Sequence, residues 1–371
     1  MRAVVLVGGE GTRLRPLTST VPKPVITLVD RPFMAYMLEW LAGHGVDEVV
    51  LACGFLPTKL REALGDGSRY GLHLTYVEEP EPRGTGGAVR FADEQLEGGL
   101  GERFLVLNGD VLTDFDLSAQ IARHEAVGAT GTLALVPVED PTAYGLVRLH
   151  DDGAVAGFLE KPKAEEIDTN LISAGAYVLE RRVLDLIPAG RNVSIEREVW
   201  PALVAAGLHG HAHDGAYWLD IGTPDRYLQG SADILAGNVR TGVLDRLDAH
   251  GIARGEDCSV EGHLHGPAVL GDGVHIAPGA VVGAHTVLGD RVRLEPGATV
   301  TNAVVLADAV IGRGSTVRDA IVAPGAQIGA DCTITGCAVV GPGVTLGAGN
   351  ALDRGARVFP GVHLPDGALA F

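Results

Sequence analysis

The sequence predicts an α/β chain in two parts: a mostly parallel sheet with helices on its faces, then a parallel β-helix of hexapeptide repeats. Two observations carry this. Over the first 235 residues apolar runs alternate with amphipathic stretches, and from Leu270 an aliphatic residue returns every six positions. A third, the glycine-rich turn ending the first apolar run, marks where a ligand would meet the sheet.

The runs 2–7, 46–53, 72–77, 103–107 and 130–137 read as strands, with 33–43, 57–64, 84–95 and 116–125 as helices between them. Strand–helix alternation gives parallel strands joined by crossover helices. Such sheets take ligands beyond the carboxyl ends of their strands. The opening run to Val7 is too short for a secretory-signal core and reads as the first strand. No run approaches the ~18 apolar residues of a membrane helix. The acid-rich stretch 225–260 is expected to bridge the two parts, with boundaries at 1–235, 236–260 and 261–371.

The repeat series runs Leu270, Ile276, Val282, Leu288, Leu294, Val300, Leu306, slips to five at Ile311, continues at Val317 and slips again at Val322. It resumes with Ile328 and ends at Val358 and Leu364. This period matches neither a helix (~3.6) nor strand alternation (~2). It fits a coil with three short sides, each sending one aliphatic side chain inward, and stacked coils bury that face on one another. The repeats hold His263, His265, His275 and His285, but no long inserted loop that would seat coenzyme A. These histidines read as corner or exposed residues.

A net charge of −18 argues against nucleic-acid and anionic-membrane partners, which need a basic face. Cys53, Cys258, Cys332 and Cys337 form no Cys-x-x-Cys pair and read as free thiols of a reducing, cytoplasmic compartment. Only four lysines occur, Lys23, Lys59, Lys161 and Lys163. In an arginine-biased chain, lysine marks places that want a compact charge.

The first strand ends in Gly8-Gly9-Glu10-Gly11-Thr12-Arg13-Leu14-Arg15-Pro16-Leu17-Thr18, followed by Pro22-Lys23-Pro24. Glycines after a strand let backbone N–H groups approach phosphate. The spacing is neither a dinucleotide fingerprint nor a Walker loop. Two cations near such a loop suit a triphosphate whose charge grows during transfer. Alone, the loop is equally compatible with a plain strand turn. Asn108-Gly109-Asp110 closes the strand 103–107, where a carboxylate could serve Mg²⁺ or an ordinary Asx turn.

The glycine loop with its Pro-Lys-Pro segment resembles the signature of the sugar-1-phosphate nucleotidyltransferases, and within them the mannose-1-phosphate guanylyltransferase branch. The resemblance spans the whole chain, because that branch also carries hexapeptide repeats. It implies a Rossmann-like nucleotidyltransferase domain followed by a left-handed β-helix. It makes Arg13, Lys23 and Asp110 catalytic, with Asp110 and Asp220 of Tyr217-Trp218-Leu219-Asp220 as metal ligands for Mg²⁺. It places the nucleotide on Leu6, Gly8, Gly9, Gly11 and Thr12, on Asn108 and Gly109, and on Gly84-Thr85-Gly86-Gly87-Ala88 with Glu78 upstream. It places the sugar phosphate at Gly145, after Tyr144, at Glu160-Lys161-Pro162, at Asn170 and at Gly175. Ser194-Ile195-Glu196-Arg197-Glu198 resembles a segment of the guanylyl branch, whereas Ser173-Ala174-Gly175 departs from its usual Asn-Ala-Gly. The implied reaction is GTP plus mannose 1-phosphate to GDP-mannose and pyrophosphate, in a homo-oligomer associating partly through the β-helix. Thymidylyl, uridylyl or heptose-1-phosphate guanylyl transfer, and a non-catalytic nucleotide-sugar sensor, are the alternatives.

Overall fold

A computed structural model describes residues 1–370. The chain divides into two compact units: Met1–Glu10 with Met34–Trp218, and Gly11–Phe33 with the chain from Leu219 onward.

The first unit is built on a nine-stranded sheet. Its strands are β1 (Arg2–Val7), β2 (Glu48–Cys53), β3 (His73–Glu78), β4 (Arg103–Asn108), β5 (Gly131–Pro137), β6 (Gly145–Leu149), β7 (Val155–Glu160), β8 (Leu171–Glu180) and β9 (Leu208–Ala212). The order is β7-β6-β8-β4-β1-β2-β3, with β5 between β8 and β9. The strands β4-β1-β2-β3 are mutually parallel, while β8 runs antiparallel to β4 and β5. The continuous aliphatic runs of β1 and β4 suit this: Ala3, Val4, Val5, Phe104, Leu105 and Val106 are fully buried, as a sheet covered on both faces requires. Helices α1 (Phe33–Gly43), α2 (Pro57–Leu64), α3 (Gly84–Gln95) and α4 (Leu117–Val127) lie where the amphipathic stretches predicted them. Asp116 caps α4 by accepting from Ala119 N at 3.0 Å. Trp200, fully buried, stacks edge-on against Tyr177 of β8 and closes one core.

In the second unit, strands of two or three residues stack into three parallel sheets of seven, seven and six strands, beginning at Ile252–Arg254. This is the parallel β-helix that the hexads predicted, consistent with the left-handed form that the resemblance implied. Leu270 pairs with Leu288 and Ile276 with Leu294, eighteen residues on, so three hexads make one coil. Val282, Leu294, Ile311 and Ile334 form its fully buried axis. The first slip differs from the sequence reading. The inward residue is Val305, not Leu306, and Leu288 pairs with Val305 only seventeen residues on. The aliphatic triplet Val304-Val305-Leu306 hides this phase from sequence. The same unit holds helix α5 (Pro224–Ala236), which packs on Thr27–Leu28. The buried Tyr227 hydroxyl donates to Thr27 O, and Arg246 pairs with Asp30. Among the described residues no helix is long and apolar enough to cross a membrane.

Candidate active site

Register brings the carboxyl ends of the parallel strands to one edge. Val7 lies beside Cys53, Cys53 beside Glu78, and Leu6 beside Asn108. The turns that follow these strands therefore share that edge: Gly8-Gly9, Gly54, Glu79 and Gly109-Asp110. Contacts are tight there. Gly109 N donates to Leu6 O at 3.0 Å, and a Cβ on Gly109 would lie 2.6 Å from Val7 Cγ1. A Cβ on Gly175, which has φ +75°, would lie 2.7 Å from Asn108 Nδ2. Leu6, Asn108, Gly109 and Gly175 are thus brought together by backbone packing. Gly9 is different: a Cβ there would meet nothing within 4 Å.

Sequence reading singled out Glu78, which the structure turns toward Arg61 at 3.0 Å on the surface. The neighbouring Glu79 faces the glycine turn instead. Its Oε1 would lie 3.6 Å from a Cβ on Gly8, and its Oε2 accepts from Arg83 N at 3.1 Å. Burial raises the Glu79 carboxyl above the usual carboxylate range, partly offset by Arg83. Strand alternation puts the two glutamates on opposite sides. That was the one available signal for Glu79.

The Gly84–Ala88 segment opens α3 and packs closely on residues 191–195. A Cβ would come within 2.6 Å of Val193 O at Gly84 and of Arg191 O at Gly87. This packing accounts for those glycines without a base. The Thr85 hydroxyl donates to Glu196 at 2.8 Å and accepts from Ile195 N at 2.9 Å.

Gly145 opens β6 opposite Glu160 at the end of β7. A Cβ on Gly145 would strike Phe158 Cζ at 2.4 Å and lie 3.2 Å from Glu160 Oε2, so glycine keeps room for that carboxylate. Lys161 turns off the strand at φ +53°, its N–H bonded to Tyr144 O at 2.9 Å. Burial raises the Glu160 carboxyl, as does Glu196, with Lys161 and Arg197 opposing. Glu196 sits in a π-helical turn, Ile195–Val199, and also accepts from Ser194 Oγ. Such turns frequently mark functional sites. In sequence, Glu196 is marked only as part of the segment that resembles the guanylyl branch. The Tyr144 ring packs edge-on to Trp218, whose indole N–H donates to Ala174 O at 2.9 Å. Asn170 O accepts from Val138 N at 3.0 Å, tying that position to the end of β5.

The second unit gathers the cations. Gly11 has φ +62°, and a Cβ there would press on Lys23 Cβ at 3.2 Å. Its carbonyl accepts from Thr18 Oγ1 at 2.7 Å. Thr12–Leu14 forms one helical turn carrying Arg13. Lys23 is only 8% exposed, so its ammonium needs a counter-charge. Asp220 supplies one, with Oδ1 3.8 Å from Lys23 Nζ. A Cβ on Gly222 would lie 2.7 Å from an Arg13 Nη atom and 3.0 Å from Asp220 Oδ1. Arg13, Lys23 and Asp220 therefore surround one point. Among the described residues no group of three or more His, Cys, Asp or Glu forms a metal cage. Separate aspartates fit a hard cation that takes most of its ligands from phosphate and water.

Residues 2–237 match the family model described as Nucleotidyl transferase, and residues 264–364 the one described as GMPPB C-terminal domain. The chain is 39% identical over 335 residues to a mannose-1-phosphate guanylyltransferase of Mycobacterium tuberculosis, covering 90% of this chain and 82% of the relative. It is 38% identical over 344 residues to a mannose-1-phosphate guanyltransferase of Eremothecium gossypii, covering 91% and 90%. Among solved structures it resembles HddC from Yersinia pseudotuberculosis complexed with GMP-PN, at TM-score 0.52 and 26% identity. That likeness covers 62% of this chain and 97% of HddC.

Proposed function

The chain belongs to the nucleotidyl transferase family, and from that premise we propose that it joins GTP and mannose 1-phosphate into GDP-mannose, releasing pyrophosphate. The observation that carries the chemistry is the buried Lys23 paired with Asp220 beside Arg13, directly after the glycine turn. The names and coverage of the relatives support the choice of base and sugar.

The reaction brings two anions together. A phosphate oxygen of the sugar phosphate attacks the α-phosphorus in line, and the bond from that phosphorus to the pyrophosphate oxygen breaks. The nucleophile is already ionised, so no general base is needed. Catalysis then consists of positioning and charge neutralisation. Gly8, Gly9, Gly11 and Thr12 present backbone donors to the triphosphate. Arg13 and Lys23 neutralise the transferring phosphoryl and the departing pyrophosphate. Lys161 steers the sugar phosphate, while Glu160 and Asn170 hold sugar hydroxyls and Glu79 lies beside the nucleotide turn. Asp110 and Asp220 would hold Mg²⁺, which when bound supplies further neutralisation of the phosphates.

Residues 1–235 are the catalytic part in this reading and 236–260 lead to the β-helix of 261–371, whose first strands, Ile252–Arg254 and Ser259–Val260, already lie within that connecting stretch. We place the enzyme in the cytoplasm as a homo-oligomer associating partly through the β-helix, with no nucleic-acid or membrane partner. Four free cysteines support the compartment, and the net charge of −18 supports the absence of nucleic-acid and anionic-membrane partners.

The test is pyrophosphate release with Mg²⁺ from GTP, dTTP, UTP, ATP or CTP against mannose 1-phosphate or glucose 1-phosphate, with Asp110→Ala as control. Release strongest with GTP and mannose 1-phosphate, and lost in the control, is expected. Release strongest with another pair overturns the substrate assignment. Silence across the grid in folded protein overturns the reaction as written.

A further inference from the structure

Val358 points into the β-helix core, so its strand neighbour Arg357 must point outward. From there Arg357 Nη1 donates to Arg13 O at 2.7 Å and to Arg15 O at 2.8 Å. The partners are 344 and 342 residues apart in sequence. The helical turn Thr12–Leu14 uses the carbonyls of Gly11 and Thr12 for its own bonds, from Leu14 N and Arg15 N. Carbonyls at the end of a helical turn need outside donors. A guanidinium meets that need well, because it carries five donors in a fixed fork and stays charged at any working pH.

We infer that Arg357 is a positioning residue for the reaction: it holds the backbone on both sides of Leu14 and thereby fixes the Arg13 side chain beside Asp220. The inference rests on the role given to Arg13 above. The turn is clamped at both ends, by Thr18 Oγ1 on Gly11 O and by Arg357 on Arg13 O and Arg15 O. Arg13 is long, so a small backbone rotation at its Cα moves its guanidinium far from the point it shares with Asp220. Displacement of a catalytic group by about 1 Å can cost on the order of 100-fold in rate. Arg357 contacts carbonyl groups of the loop, not substrate, so its loss should act on turnover more than on substrate affinity.

The experiment uses the full-length chain with Arg357→Ala and Arg357→Lys. For Arg357→Ala the expected result is kcat lower by roughly 10-fold or more, little change in either KM, and an unchanged melting temperature. Millimolar guanidinium should restore part of kcat in Arg357→Ala and do nothing for wild type. Arg357→Lys, which keeps a cation but loses the fork, should fall between. Amide hydrogen exchange at residues 12–15 should accelerate in Arg357→Ala. Wild-type kcat with wild-type exchange would overturn the inference. So would a kcat loss that tracks a fall in melting temperature and responds to neither guanidinium nor lysine. If wild type turns over no substrate pair, the reaction assignment fails by itself. Exchange then decides: faster exchange at 12–15 upholds the clamp, and unchanged exchange removes it.

Discussion

Gly175→Ala tests how the edge of the sheet around Asn108 is packed. Gly175 has φ +75° and lies where β8 shifts register between Ser173 and Tyr177. An added Cβ would stand 2.7 Å from Asn108 Nδ2 and 3.0 Å from Asn108 Cβ. The amide could swing aside, but Asn108 Cβ moves only with its backbone. A left-handed backbone costs a non-glycine residue roughly 1–2 kcal/mol, and overpacking adds about 1–3 kcal/mol. The sum, about 2–5 kcal/mol, lowers the melting temperature by roughly 5–15 °C for a unit of this size. Because Asn108 is displaced, KM for the nucleotide should rise as well. Thermal melts paired with steady-state kinetics read both effects. In an Asn108→Gly background the clash disappears, and only the backbone cost of roughly 1–2 kcal/mol should remain. A Gly175→Ala protein that melts with wild type would refute the reasoning.

Gly9→Ala provides the contrast: a Cβ there meets nothing within 4 Å, so melting should be unchanged while kcat/KM for the nucleotide falls at least ~10-fold if backbone and phosphate meet. Unimpaired kinetics would remove Gly9 from the phosphate site. Lys23→Met takes away the buried cation facing Asp220 and should cost about 2–3 kcal/mol, less than a fully buried pair because Asp220 keeps 22% side-chain exposure. Adding Asp220→Asn should recover part of that stability in a denaturant titration but none of the activity; simple additivity of the two losses would argue against the pair. Burial, and then the neighbouring His211, depress the His213 imidazole from 6.5 to about 4, with Asp116 opposing and His44 adding. The unfolded chain then binds more protons between those values, so stability is full above pH 6.5 and is lost as pH falls toward 4. By pH 4.5 most of that contribution, on the order of 2–3 kcal/mol, is lost. His213→Phe, which keeps the stack on Phe115, should flatten that acid slope; an unchanged slope would assign acid sensitivity elsewhere.

The parts of the fold legible in sequence were those written in local periodicity. The aliphatic run of β1 and the hexads from Leu270 each announce a surface that must be buried, and the structure buries both. The glycine turn was legible as a break at the end of β1, but by itself it did not separate a phosphate loop from a plain strand turn. Long-range pairing left no such mark. Beyond strand alternation, nothing near Glu79 says that it, and not Glu78, faces Gly8. Nothing near Thr27 or Asp30 announces Tyr227 or Arg246. Gly84 and Gly87 show another case: residues that the resemblance assigned to the nucleotide also have a packing reason, the close approach of Val193 and Arg191, which no local pattern announces.

The grouping of Gly11–Phe33 with residues beyond Leu219 has a consequence for the chain as it leaves the ribosome. The segment is made early, yet its packing partners begin only 186 residues later, counting from Phe33 to Leu219. At about 5–20 residues per second, that is a delay of roughly 10–40 s. During it, Lys23 has no Asp220 and Thr27 no Tyr227. The first unit can gather its sheet meanwhile, but the cationic turn stays unfinished until the last coils emerge and Arg357 arrives. A ribosome stalled between the codons for Leu219 and Arg357 would therefore carry a sheet already gathered and a Thr12–Leu14 turn that still lacks the donor Arg357 brings.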